Sequence, residues 1–554
     1  MDSATENAEK QTLPPTLDES KECMPRSQSR IGNTLPDTQH HDTYNCNRND
    51  EHEQNSQLST LQRNYFEVEW ENGDQDPLCP RSFGKWRKWV IVFVISFASL
   101  CVTSASSIYP STYTQMEADF GNSRIISTLG LSLFVLGIAI GSLFFGPFSE
   151  FYGRRPIYLI SWSMYIVWIV PEAIGKNITT VLVGRFLDGC SGSAFLSVFG
   201  GTAGDMFRKD ELQEPMLFFT VVLFTGLCIG PLIGGFVNYT ADWVWTYYVL
   251  LIWGSLLLLA IILLIPETCR TRKRPGKQST NPALIDAILI KQKAKSLRKE
   301  TGDNRWIAPK VGVENSIVGV IKSCVIRPFE LLLFEPMCLV LCIFSSILLG
   351  MFYLFLGSFP LIFTMVYGFS SWQVGLTFCG ILIGIYLAVA VEPIWYLFRH
   401  KHTNRRDDDT DTEDTLEPEV FLPFAILGSL LVPMGFFIFA WSCYPWVHWI
   451  VPITGSAVFG SGVLLVFTGI FTYLVHAYPQ YAASALAANS FMRYIFSTAF
   501  PLFGNQMYEK FGHNWASSLL GFLTLAMMPF PYIFFRYGKE IRAKSRFAGS
   551  GDAD

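Results

Sequence analysis

Charge is scarce in this chain. Asp, Glu, Lys and Arg make up 16% of 554 residues, against roughly a quarter in an ordinary soluble protein. That shortage excludes a soluble multidomain enzyme with a polar surface and a nucleic-acid binder with a basic face. Histidine is rare as well, 8 in all, and the residues are dispersed: His400 and His402 fall in one loop, while His448, His476 and His513 stand apart. The 12 cysteines include no CxxC and no Cys/His ligand spacing, so neither a metal site nor a disulfide framework is expected. Cys338 and Cys342, four apart in an apolar segment, read as helix packing. No P-loop occurs, which excludes an ATP-driven pump within this chain. No apolar stretch follows Met1, so the first membrane span is expected to act as the targeting signal.

What is abundant is apolar and aromatic. Half of the residues are hydrophobic and 46 are Phe. Residues 1–85 hold 8 Lys/Arg and 16 Asp/Glu among Gln, Asn, Ser and Thr; such a stretch cannot bury enough surface to offset its ordering entropy and reads as a disordered cytosolic tail. Beyond it, apolar runs near 20 residues match the length that crosses hydrocarbon. Twelve are expected: Trp89–Pro110, Thr128–Phe148, Ile157–Gly175, Val181–Gly204, Met216–Val237 and Val244–Ile265, then Glu335–Leu361, Gln373–Leu397, Phe421–Ala440, Val447–Leu474, Ala482–Phe503 and Ala516–Phe535. The pattern predicts an all-α membrane protein of twelve transmembrane helices in two pseudo-symmetric six-helix bundles, residues 86–265 and 335–537, with a cytosolic connector at 266–334 and a cytosolic tail at 538–554. A small-molecule site is expected between two such halves. With the N-terminus inside, the outer loops contain only Arg124, Lys176 and Lys510, while the inner loops and C-terminal tail hold 13 Lys/Arg without the connector; the positive-inside rule therefore puts both ends in the cytosol. Residues 282–300 read either as a basic amphipathic helix on the inner leaflet or as a solvated linker helix. The acidic run at 405–419 reads as a solvated loop.

Three segments concentrate polar chemistry. The second inner loop, GPFSEFYGRRP, joins two spans by a tight turn at Gly153 and places Gly146, Glu150 and Arg154 at the rim; a charge pair there can latch helices and release them when the halves rock. The fourth span contains GRFLDGCSGSA. An Arg at a helix centre costs about 2.5–3.5 kcal/mol on insertion scales, so Arg185 should face a cavity or a partner. Asp188, three residues on, shares its face. The pair is either a self-neutralised anchor or a protonation-linked switch. In the fifth span, GLCIGPLIGG places Gly226, Gly230, Gly234 and Gly235 about Pro231, where proline kinks the axis and small residues allow close packing.

These segments resemble the major facilitator superfamily. GPFSEFYGRRP is similar to its cytoplasmic signature, GRFLDGCSGSA to its fourth-span arginine motif and GLCIGPLIGG to the fifth-span signature of its drug:proton antiporters. AASALAANSFMRYIFSTAFPLFGNQMYEKFGHNWASSLLGF resembles the fungal twelve-span members, including polyamine exporters, and the likeness runs over about residues 65–547. It implies that Glu150 and Arg154 form a gating latch with Asp205. It also implies that Arg185 serves proton coupling and that the fifth-span string bends the helix that favours export. Glu150 stands where the superfamily commonly has Asp, and CRTRKRPGKQSTNPALIDA interrupts the usual run from Pro266-Glu267-Thr268 into a basic helix.

Four further residues are candidates for a substrate cavity: Tyr109, Tyr353, Asn489 and Arg493. For Asn489 and Arg493, four apart on one face, a cavity and a packing role are both open. Glu335 and Glu392, near span ends, are expected to snorkel. Asp188 is the carboxylate expected to take the proton. The expected function is proton-coupled export of amphipathic organic compounds by alternating access, the protein being a monomer in the plasma membrane. No cofactor, metal or nucleic acid is expected. The alternatives are a polyamine:proton antiporter, which would want several buried carboxylates, and, further off, a receptor or membrane-embedded enzyme.

Overall fold

The computed structural model describes residues 80–208, 211–268, 317–403, 418–478, 482–543 and 545. The tail through residue 79, the stretch after Thr268, the segment 282–300 and the acidic run from 405 to 417 lie outside the described residues, as do the side chains of Glu150 and Glu392.

Among the described residues there are helices and turns and no strand, as a chain in hydrocarbon must satisfy its backbone groups internally. Among the described residues eleven helices are long and apolar enough to cross a membrane: span 1 Lys85–Phe120, span 2 Arg124–Gly146, span 3 Arg154–Ile174, span 4 Ile178–Met206, span 5 Gln213–Thr240, span 6 Val244–Leu264, span 7 Pro336–Tyr367, span 8 Ser371–Val391, span 9 Pro418–Ser442, span 10 Ile450–Ala477, and a last run Ser484–Ala543. That run of 60 residues would extend about 90 Å as one helix, three times the hydrocarbon thickness. It is instead broken at Gly512, whose φ of 74° and ψ of 160° are non-helical. Residues 484–511 form span 11 and 513–543 span 12, which gives the expected twelve crossings. The ends differ by up to ten residues from those read in the sequence, most in span 1, which runs on to Phe120, while span 7 continues to Tyr367 before the left-handed Gly368 stops it.

The side that carries the helix ends near Gly153, Phe207, Glu267 and Arg542 is termed the basic side below, and the other the far side. Span 7 is buried along most of its length, whereas span 6 turns Leu256, Leu259 and Leu263 outward. Span 1 packs on span 5, span 2 on span 4, span 7 on span 11 and span 9 on span 10. Across the two groups of six, span 2 meets span 11 and span 5 meets span 8. Between spans 1 and 7 the hydroxyls of Ser106 and Tyr353 are 3.0 Å apart.

Candidate functional site

Small residues let span 4 settle deep in the first group. A methyl added at Gly189 would strike the Phe134 carbonyl of span 2, and one at Gly192 would press on Val102 of span 1. This packing encloses Arg185, which is 1% exposed. Its Nη2 donates to the Ala105 carbonyl at 3.1 Å, and its guanidinium lies over the ring of Tyr109 at 4.2 Å and of Phe134 at 5.0 Å. The ionic partner is Glu172 of span 3, with Nε and Oε2 at 3.7 Å. Glu172 and Asp188 are both fully buried, and among the described residues neither carboxylate has a hydrogen-bond partner. No ion pair within 4.0 Å joins Arg185 to Asp188 among the described residues, so the helical neighbour expected to hold the guanidinium is not the one that meets it. Asp188 shares the helix face; Glu172 supplies the contact.

The arginine cluster thus contains two acids and one base in a low-dielectric setting. Glu172 was not singled out in the sequence, although it is the only charged residue in the apolar run 157–175. Tyr109, read as a cavity residue, is placed under Arg185 with its hydroxyl unpartnered among the described residues. A methyl at Gly130 would collide with that hydroxyl.

On the basic side, Gly153 has φ 100°, a conformation that favours glycine, and it links spans 2 and 3. Arg154 follows. Its Nε lies 3.2 Å from Asp205 Oδ2, and Nη1 donates to Ser149 Oγ. Gly201 leaves room for the guanidinium, since a Cβ there would collide with it. Arg154 and Asp205 are therefore brought together, with Gly153 beside them. Gly146 has open space where a side chain would go. Glu267 joins these residues, a contact that the sequence does not reveal. Its Oε1 accepts from the Arg154 backbone N–H at 2.9 Å and its Oε2 from that of Arg155 at 3.3 Å, so the end of span 6 caps the start of span 3. A carboxylate there also complements the helix dipole. The signal available was Glu267 between Pro266 and Thr268, but only the fold shows what it caps.

In span 5 the glycines face two ways. Gly226 and Gly230 lie against Thr103, Ser104 and Ser107 of span 1, and the Ser104 and Ser107 hydroxyls donate to the Gly226 carbonyl at 3.1 and 3.2 Å. Gly234 packs on Ile108 and Ser111. Gly235 faces the other group: a Cβ there would be 2.6 Å from the Ser371 carbonyl of span 8, and one at Gly375 would be 2.7 Å from that of Pro231. The string is therefore a two-sided seam toward the far side.

In the second group, Asn489 Nδ2 donates to Ser345 Oγ of span 7 at 2.8 Å. Arg493 is 4% exposed and lies among Phe467, Phe471 and Tyr494. Glu335 does not snorkel. It is buried at the start of span 7 and accepts from Ser545 Oγ at 2.8 Å and Tyr478 OH at 3.3 Å. Nearby, Arg542 at the end of span 12 makes a two-pronged pair with Glu419 before span 9, at 2.9 and 2.7 Å.

Comparison with known proteins agrees with this architecture. The family model of the Major Facilitator Superfamily matches residues 95–501. The chain is 44% identical over 479 residues to the efflux pump atB of Aspergillus terreus, covering 86% of this chain and 89% of that one. It is 41% identical over 466 residues to the probable drug/proton antiporter YHK8 of Saccharomyces cerevisiae, covering 83% and 86%. Among solved structures, the proton:xylose symporter XylE bound to 6-bromo-6-deoxy-D-glucose aligns at TM-score 0.56 and 14% identity, over 82% of this chain and 97% of that one, a likeness of fold alone. Twelve crossings, an arginine held inside the fourth and a family match over most of the chain lead to one conclusion: this multi-span membrane protein belongs to the major facilitator superfamily.

Proposed function

We propose that the protein is a proton-coupled exporter of amphipathic organic compounds that works by alternating access. The observation that carries this reading is the enclosed cluster of Glu172, Arg185 and Asp188. One guanidinium balances one carboxylate, and a single proton balances the other. Burying an unpaired charge costs several kcal/mol, so the state of that proton sets how the cluster holds spans 1, 3 and 4 together. A proton arriving from outside neutralises one acid, Arg185 shifts its hold, and the two halves reseat; release inside resets them. Asp188 is the proton carrier in this scheme, and Glu172 keeps Arg185 in place. Gly153, Arg154 and Asp205, with Gly146 and Glu150 in the last turns of the helix that ends at Tyr152, act as a latch on the basic side. The glycines about Pro231 act as the seam that closes the far side. The basic side faces the cytosol by the positive-inside rule, both termini with it; the protein works as a monomer in the plasma membrane.

The energetics suffice. A potential of 100 mV supplies about 2.3 kcal/mol per charge, and one to two pH units add about 1.4–2.7 kcal/mol. One proton per cycle then sustains a gradient on the order of 10³. The relatives named as an efflux pump and a probable drug/proton antiporter support the same reading.

The test is efflux from a pump-deficient host at matched membrane abundance, wild type against Arg185→Ala. Loss of a dye that stops with a protonophore, and that the variant lacks, is the expected result. Dye loss indifferent to both the protonophore and the variant contradicts proton coupling. Selective export of radiolabelled spermidine would favour a polyamine antiporter instead.

A further inference from the structure

Among the described residues Arg154, Arg185 and Arg493 are buried and Arg542 is half-buried. The chain provides a carboxylate for three of them: Asp205 for Arg154, Glu172 for Arg185 and Glu419 for Arg542. Arg493 is the exception. No Asp or Glu lies within 4.0 Å of it among the described residues. Among the described residues its one hydrogen bond is from Nη2 to Ser490 Oγ at 3.1 Å, and Nε has no partner there. Guanidinium does not discharge in proteins, so this is a permanent cation left uncompensated. Its depth excludes an escape to the interface. Arg493 lies about 16 Å along the helix from Ala482 by the rise per residue, near the middle of the hydrocarbon.

The surroundings are those of a receptor site. Phe471 and Phe467 present rings at 4.7 and 5.3 Å from the guanidinium carbon. Such contacts hold the cation without neutralising it. Phe467 also touches Phe224 of span 5 at 5.0 Å, and Phe224 touches Phe352 of span 7 at 5.9 Å. The aromatic wall therefore joins Arg493 to the seam between the two groups of spans. One helical turn away, Asn489 is fully buried and its Oδ1 has no partner. A buried charge with an unpartnered Nε donor, an unpartnered amide acceptor and flat apolar walls is complementary to a molecule with one acidic group and an aromatic or alicyclic body.

We propose that Arg493 is the anion-recognition residue of the cargo site and that the exported compounds are amphipathic organic monoanions, carboxylates above all. The carboxylate pairs with the guanidinium in the two-pronged manner that geometry allows, its body lies on Phe467 and Phe224, and Asn489 reads a neighbouring hydroxyl or N–H. This rests on the exporter reading and names its substrate class.

Binding and transport separate the two ideas. Fluorescein and rhodamine 123 share a xanthene frame but carry opposite charge, and in mildly acidic buffer, where its phenol is protonated, fluorescein is a monoanion. Fluorescence anisotropy of each dye is measured with the purified full-length protein, wild type, Arg493→Gln and Arg493→Lys. The expected result is fluorescein binding that falls at least tenfold in Arg493→Gln and recovers in part in Arg493→Lys, with rhodamine 123 unaffected. No fluorescein binding by wild type, equal affinity in Arg493→Gln, or the same loss for both dyes overturns the proposal; the last marks a structural role. In cells, protonophore-sensitive export of rhodamine 123 alone overturns the anion site and leaves the exporter reading standing. Arg493-dependent fluorescein binding without protonophore-sensitive export of either dye does the reverse.

Discussion

Each half of the molecule buries one arginine in the membrane and treats it differently. In the first half Arg185 is surrounded by the means to compensate it: Glu172 at 3.7 Å, the Ala105 carbonyl at 3.1 Å and Asp188 on the same helix. In the second half Arg493 has rings and one serine hydroxyl. A charge whose counterion is built in can respond to a proton, because protonation alters a pair already formed. A charge whose counterion is missing can respond to a ligand that supplies it. Under the proposed function, the contrast puts the proton in the first half and the cargo in the second. It also changes the energetics, since a proton moving in and a monoanion moving out shift two charges in one electrical sense, worth about 4.6 kcal/mol per 100 mV. Exchange of a proton for a monocation would gain nothing from the potential.

The largest effect should come from removing the compensated cation. Arg185→Ala leaves two enclosed acids and should cost about 3–5 kcal/mol of stability, with export falling at least about 100-fold; thermal melting of the purified protein and efflux rates check both. Adding Glu172→Gln and Asp188→Asn to that variant should restore most of the stability and none of the proton coupling. If export returns with the stability, the cluster is an anchor rather than a switch and the contrast fails.

A smaller effect is expected at the basic side, where the halves also differ. In the first, an acid at the end of span 6, Glu267, caps the start of span 3; in the second, a base at the end of span 12, Arg542, pairs with the acid before span 9. The corresponding helices are joined with the polarity reversed. Glu267→Gln should lose about 0.5–2 kcal/mol, the usual range for a helix cap, and should shift transport rate more than binding, because it unsettles the Arg154 loop. Arg542→Ala should lose a comparable or smaller amount, the pair being partly exposed to solvent, and the charge-swapped double variant Glu419→Arg with Arg542→Glu should recover it. Melting curves of the four proteins rank these effects; equal loss of transport in both halves would mean that the joints are not distinct.

Local physics made much of this legible in the sequence. Apolar length marked the spans, including the break between the eleventh and twelfth, which the structure places at Gly512. Arg185 was conspicuous because a charge in a span demands an explanation, whereas the contact of Arg154 with Asp205 was implied by the family resemblance rather than by spacing. What stayed hidden was non-local. Periodicity puts Asp188 on the face of Arg185, but it cannot tell that span 3 brings Glu172 closer. Snorkelling was a fair expectation for Glu335 until Tyr478 and Ser545, over 140 residues away in sequence, were found donating to it. Glu267 is likewise defined by the helix it caps, 113 residues earlier.

The most direct test of the division between the halves is proton flux in vesicles reconstituted with the purified protein and a trapped pH-reporting dye, with fluorescein added as cargo. The account predicts cargo-dependent proton movement in wild type, none in the Arg185→Ala variant carrying Glu172→Gln and Asp188→Asn, and a right-shifted cargo dependence with an unchanged maximum in Arg493→Gln. Cargo movement that persists after the pH gradient is collapsed, or proton movement that needs Arg493 and not Arg185, would contradict it.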